Sequence, residues 1–152
     1  MSAPPERGPA PAGYSGTPLV RKLGIKIDAR LGLIGAPDGF DGTLGELPAG
    51  VNVRRRLGGR PFDVIVAFFD RRAELERRLP ALVRALDPTG GLWLAWPKRA
   101  SGVPTDLTDN VVREAGLATG LVDNKVCAVD QVWSGLRLVY RLRDRPAGTN
   151  PR

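Results

Sequence analysis

The sequence predicts a three-layer α/β domain, in which helices cover both faces of a mostly parallel six-stranded sheet that ends in a C-terminal antiparallel hairpin. Three observations predict it. Phe62–Phe69 and Leu92–Trp96 are almost continuously apolar, as strands are when both faces of a parallel sheet are covered. Between them Leu75, Leu79, Leu82 and Leu86 form one helical stripe. Near the end, two strand-like segments are joined by a connection too short for a parallel crossover, which makes them a hairpin.

The elements follow in order. Residues 1–13 are rich in Pro, Ala and Gly and read as a flexible tail, as do residues 146–152; residues 14–145 form the single domain. Ser15 or Thr17 caps a first short helix with Pro18 in its first turn, Leu19, Val20 and Leu23 facing inward, and Gly24 at its end. Arg30–Ile34 is a buried strand, Gly35–Phe40 a turn, and a weak helix runs through Leu44 and Leu47 until Pro48 and Gly50 break it. Val51–Arg54 alternates as a second strand. After the Phe62–Phe69 strand, the helix spans Arg72–Asp87 and bends at Pro80. Thr89–Gly91 turns into Leu92–Trp96. Thr105 or Asp106 caps the next helix, whose inner face is Leu107, Val111, Ala118 and Leu121. Asp123–Asp130 is a buried strand, and Trp133–Gly135 turns into Leu136–Leu142. Strand–helix alternation with right-handed crossovers gives the sheet order second, first, third, fourth, sixth, fifth.

Composition excludes much chemistry. The chain of 152 residues is long enough for a core that buries about 70% of the unfolded surface. With one cysteine, Cys127, it forms no internal disulfide, which suits a reducing compartment. No apolar run reaches the roughly 20 residues that cross a bilayer, and the N-terminus has no apolar leader core. The expected location is therefore cytoplasmic. There is no histidine, so the commonest general base and metal ligand are missing; no metal and no cofactor are expected. The net charge of +7 comes almost wholly from dispersed arginines rather than a single stripe. That pattern makes nucleic acid a possible partner but not the favoured one, and leaves protein partners and oligomeric state open.

Two resemblances add to this reading. Phe62-Asp63 opening an apolar strand, then a helix, then Leu86-Asp-Pro-Thr-Gly-Gly-Leu-Trp-Leu94, resembles the second half of Rossmann-like S-adenosylmethionine (SAM) methyltransferases, which also end in a helix and a β-hairpin. The resemblance implies their fold. The sequence departs from the family pattern at the cofactor. An acid and a glycine-rich loop should follow the first strand, where Ile34 runs into Gly35-Ala-Pro-Asp-Gly39; an acid should end the second, where Arg54-Arg-Arg56 stands. One strand–helix unit is also missing. Separately, Lys22-Leu-Gly-Ile-Lys26, Gly91-Leu-Trp-Leu-Ala-Trp-Pro-Lys98 and Trp133-Ser-Gly-Leu-Arg-Leu-Val139 resemble a bacterial family, domain of unknown function 3052. That resemblance carries no catalytic residue to transfer.

In an open α/β sheet, ligands sit beyond the carboxyl ends of the strands. The candidate ligand face comprises Gly35, Asp38 and Gly39 in the first loop and Lys98, Arg99, Ser101, Thr105 and Asp106 in another. Glycines let backbone N–H groups approach an anion, although Pro37 removes one donor; the two basic residues and a following helix N-terminus add positive field. The competing readings are a tight turn for the first loop and a solvated connection for the second. Asp123, Asn124 and Lys125 fall at the opposite end of the sheet and read as a turn with an ion pair. Trp133 reads as packing rather than a lid, Cys127 as an inert core residue, and Arg54–Arg56 as an exposed strand end rather than a phosphate or RNA contact. No catalytic residue is assigned. The favoured function is a non-catalytic binding or regulatory domain, derived from a methyltransferase-like fold, for a small anionic ligand. The alternatives are a divergent SAM- or nucleotide-dependent enzyme using Asp38, Asp70, Lys98 or Asp106, and an RNA-associated basic protein.

Overall fold

The structure is a computed structural model that describes residues 17–145. The two expected tails, and Ser15 as a cap, lie outside the described residues. The elements are α1 (Leu19–Leu23), β1 (Arg30–Ile34), α2 (Phe40–Leu44), β2 (Asn52–Arg54), β3 (Phe62–Phe68), α3 (Arg72–Ala85), β4 (Leu86–Pro97), α4 (Asp109–Leu117), β5 (Val122–Ala128) and β6 (Trp133–Val139). Six strands form one sheet in the order β2-β1-β3-β4-β6-β5. The pairs β1–β2, β1–β3 and β3–β4 are parallel, while β6 lies antiparallel to both β4 and β5. The expected order and the closing hairpin are both present.

Alternation along the strands divides the core into two layers. Ile65 and Ala67 of β3, with Leu92, Leu94 and Trp96 of β4 and Leu136 and Leu138 of β6, face α3 and α4. Leu75, Leu79 and Leu82 of α3 and Val112 of α4 cover them, so the predicted stripe packs on the sheet. On the other face Val64, Val66, Phe68, Trp93 and Ala95, with Leu31 and Leu33 of β1, meet Leu23 of α1 and Phe40 and Leu44 of α2. Trp93 is fully buried, and its indole N–H donates to Leu23 O at 3.0 Å, which anchors the short α1 to the sheet.

Several boundaries differ from expectation for identifiable reasons. Pro18, not Thr17, is the N-cap of α1, and its carbonyl accepts from Arg21 N and Lys22 N. The α2 helix ends at Leu44, before Leu47. The α3 helix passes through Pro80 uninterrupted, with that residue exposed, and ends at Ala85, because Leu86 already pairs with Phe62. Thr89–Gly91 therefore lies within a long β4: Asp87–Gly90 are extra residues opposite Asp63, folded by the Asp87 carboxylate accepting from Thr89 N and Oγ1. The α4 helix starts at Asp109, and its N-cap is Thr108, whose Oγ1 accepts from Val111 N; neither Thr105 nor Asp106 caps it. Its buried residues are Val112 and Gly116; Leu107 and Leu121 are buried outside the helix, and Ala118 is exposed. The hairpin turn falls at Asp130, whose Oδ1 accepts from Val132 N and Trp133 N, so Trp133–Gly135 belong to β6. β5 is an edge strand rather than a buried one, and Cys127 on it is half-buried; burial pushes its thiol pKa up against the opposing pull of Lys22 and Lys125.

Candidate functional site

The carboxyl ends of β1, β3 and β4 collect the expected loops at one edge of the sheet. Since β2 lies to one side of β1 and β3 to the other, the crevice between β1 and β3 is the topological switch point. The Gly35 loop rises there. Gly35 has φ +68°, and a Cβ on it would stand 3.2 Å from Phe68 O, so a positive φ and a close approach both require glycine. Phe40 N donates to Pro37 O, and Gly39 with φ +84° starts the five-residue α2. Asp38 is exposed on the turn.

On the far side of β3 the Lys98 loop is held by its own hydrogen bonds. Lys98 N donates to Val132 O at 2.7 Å, joining the loop to the hairpin turn. Ser101 Oγ donates to Lys98 O and accepts from Val103 N. Thr105 Oγ1 donates to Asp70 O at 2.6 Å and accepts from Leu107 N. Asp106 Oδ1 accepts from Arg72 N at 2.7 Å. This places the acid at the first turn of α3, a helix earlier in the chain, where one amide would otherwise lack a partner. The Glu76 carboxylate, hydrogen-bonded to the Arg72 guanidinium, holds that group charged by raising its pKa. Thr105 and Asp106 thus brace the loops of β3 and β4 against each other, Ser101 closes a turn within the Lys98 loop, and Arg99 is exposed.

The structure brings the Lys98 loop together with Asp70, Arg72 and the Asp130 turn, while the segment after β3 stands between it and the Gly35 loop. A cavity of about 400 Å³ lies at the Lys98 side, lined among others by Trp96, Arg99, Thr108, Asp109 and Ser134. The positive end of α4 opens there rather than at Asp106.

A feature not anticipated from sequence packs beside the switch point. The rings of Phe40 and Phe68 meet edge to face with centroids 4.9 Å apart, and Phe68 meets Trp133 in the same way at 5.1 Å. Phe40 is 2% exposed and Phe68 6%. The sequence signal was an aromatic residue beginning each of α2 and β6 and another ending β3, but only strand order shows that the three converge. Trp133 packs, as expected. Asp123 stands at the other end of the sheet in an ion pair with Arg113, as expected, but Asp123, Asn124 and Lys125 lie within β5 rather than in a turn: Asp123 and Lys125 pair with Leu138 and Arg137 of β6, with an irregularity between them. Arg54–Arg56 are exposed; Arg54 bonds Asn52, and Arg55 clamps both carboxylate oxygens of Asp41 at 2.8 and 3.0 Å.

No protein-family model matches the chain, so the likeness to domain of unknown function 3052 stands on its three segments alone. No curated protein matches it in sequence. Solved structures do match. A SAM-dependent methyltransferase from Aquifex aeolicus superposes with a TM-score of 0.58 over 79% of this chain and 86% of its own, at 17% identity. The complex of DhpI with SAH gives 0.58 over 83% of each chain at 12% identity. The ribosomal protein L11 methylase of Lactobacillus delbrueckii subsp. bulgaricus gives 0.56 over 81% of this chain and 75% of its own, also at 12% identity. At these identities the likeness establishes architecture and nothing about activity: the chain has the fold of the SAM-dependent methyltransferases.

Proposed function

We propose that this chain is a binding or regulatory domain built on the methyltransferase-like fold, without methyl-transfer activity of its own. The observation that carries this reading is the edge-to-face pair of Phe40 and Phe68 at the switch point. Both rings are buried in the core layer under α2, Phe68 at the end of β3 and Phe40 just after the Gly35 loop, so apolar packing rather than polar groups borders the crevice between β1 and β3 that ligands of open α/β sheets use. The polar groups support the same reading. Arginines stand at the end of β2 where the resemblance calls for an acid, and Arg55 occupies the nearby Asp41 carboxylate. Ser101, Thr105 and Asp106 are committed to holding loops rather than presented to a ligand. The face carries positive charge at Lys98 and at exposed Arg99, which suits a small anion.

A divergent SAM-dependent enzyme is the second reading. Its support is the DhpI–SAH superposition, which covers 83% of each chain. Calorimetric titration with SAM and with SAH separates the two. The domain reading expects no saturable heat at millimolar ligand. A dissociation constant in the low micromolar range, roughly −8 kcal/mol, sinks it in favour of the enzyme.

A further inference from the structure

The opposite end of the sheet holds a second set of groups. A cavity of about 360 Å³ opens there, lined among others by Lys26, Asp28, Asp63, Thr89 and Arg137. Arg137 lies on β6 opposite Trp93 of β4. Its guanidinium rests over Gly91, where a Cβ would come within 2.4 Å of Nε. The glycine thus leaves the space that the guanidinium fills. Arg137 is half-buried and has neither a hydrogen bond nor a carboxylate partner among the described residues. Burial pushes its pKa down, and nearby Arg145 pushes it the same way. Arg145 Nε is itself buried without a hydrogen-bond partner. Among the described residues, two neighbouring guanidinium groups therefore stand partly desolvated with no carboxylate partner, an arrangement that favours a bound negative charge.

The rest of the cavity narrows the chemistry. Asp63 Oδ2 accepts from Arg30 N at 2.8 Å, and Asp28 is exposed at the rim. These carboxylates disfavour a ligand that is anionic throughout and favour one that presents hydroxyl donors on their side. A guanidinium fork matches the paired oxygens of a phosphate or carboxylate. The volume suits a small metabolite. We propose that this cavity binds a hydroxylated small molecule bearing one phosphate or carboxylate, with the anionic group on Arg137 and the hydroxyls toward Asp63. The site lies at the other end of the strands from the switch point and stands or falls independently of the function proposed above.

The test is thermal unfolding and calorimetry of the full chain with glucose 6-phosphate, gluconate, inorganic phosphate and glucose, each against sodium chloride at matched ionic strength. Glucose 6-phosphate or gluconate is expected to raise Tm by roughly 2–4 °C, inorganic phosphate by less, and glucose not at all. Whichever of the first two binds more tightly identifies the anionic group. Arg137→Met should abolish the shift while leaving the ligand-free Tm equal or higher, since it removes an unpaired, partly buried charge. Arg137→Lys, which keeps the charge but not the guanidinium fork, should weaken binding several-fold, and it carries the test if Arg137→Met does not fold. No shift beyond the salt control overturns the proposal. So does an unchanged shift in either variant, or a large fall in ligand-free Tm of Arg137→Met with binding retained.

Discussion

Gly90 shows how one missing side chain makes room for a bulge within a strand. The four residues Asp87–Gly90 fit opposite Asp63 because β4 there runs against the β3 backbone. A Cβ on Gly90 would stand 2.5 Å from Asp63 O and 3.0 Å from Phe62 O. Both are main-chain atoms of a central strand, so neither can yield as a side-chain tip would. Gly116 offers the contrast: a Cβ there would press on the side chain of Leu138 rather than on a main chain. Gly90→Ala is therefore expected to destabilise the protein by about 1–3 kcal/mol, the usual cost of forcing atoms into a filled space. Urea denaturation reads it, and a change within about 0.5 kcal/mol would mean that the bulge is loosely packed. The Gly-Gly pair marked an irregularity in the sequence. That it sits inside a strand rather than before one depends on Leu86 pairing with Phe62, a contact between residues 24 apart that no local pattern displays.

At the scale of elements, caps were the least legible feature, because a cap is defined by its partner. Thr105 and Asp106 have the composition of an N-cap and precede a helix, yet they serve the segment before α3, some 35 residues earlier. Thr108 caps α4 in their place. Short-range chemistry identified the right residue types, while long-range packing decided which helix they serve. The consequence is measurable. Asp106→Ala removes an acceptor and a favourable charge from the first turn of α3, so it should cost about 0.5–2 kcal/mol; Asp106→Asn, which keeps an acceptor, should cost less than half of that. Denaturant midpoints of the two variants decide the matter. Equal losses would show that charge rather than the hydrogen bond holds the loop, and no loss in either would show that Arg72 N is satisfied by water. The candidate ligand face inherits this difficulty. Its glycines and basic residues were recognisable, whereas the commitment of Thr105 and Asp106 to bracing, and the aromatic cluster of Phe40, Phe68 and Trp133, arise only when separate loops meet.

The whole molecule is held by one sheet shared between two apolar layers, and this is the part that periodicity exposes best. The Leu75–Leu79–Leu82 stripe and the continuous apolar runs of β3 and β4 each demand burial on a particular face, and right-handed crossovers then leave few strand orders open. The edge strands were harder: β2 has three residues and β5 is half-exposed, so neither carries a strong pattern. Sharing a sheet has a thermodynamic consequence. Leu79 is 4% exposed in the layer under α3, and Leu23 is fully buried in the layer under α1. Because β3 and β4 contribute side chains to both layers, losing either layer exposes the other face of the same strands. Leu79→Ala and Leu23→Ala should each cost about 2–5 kcal/mol. Each should shift a single unfolding transition, with tryptophan fluorescence and far-UV circular dichroism coincident and the denaturant slope unchanged. In the double variant, the two losses should add to within about 0.5 kcal/mol, because the side chains sit in different clusters on opposite faces. Separate transitions for the two probes in Leu23→Ala, where the α1 layer is weakened next to Trp93, would instead mean that this layer unfolds on its own and that the sheet does not couple the two halves of the core.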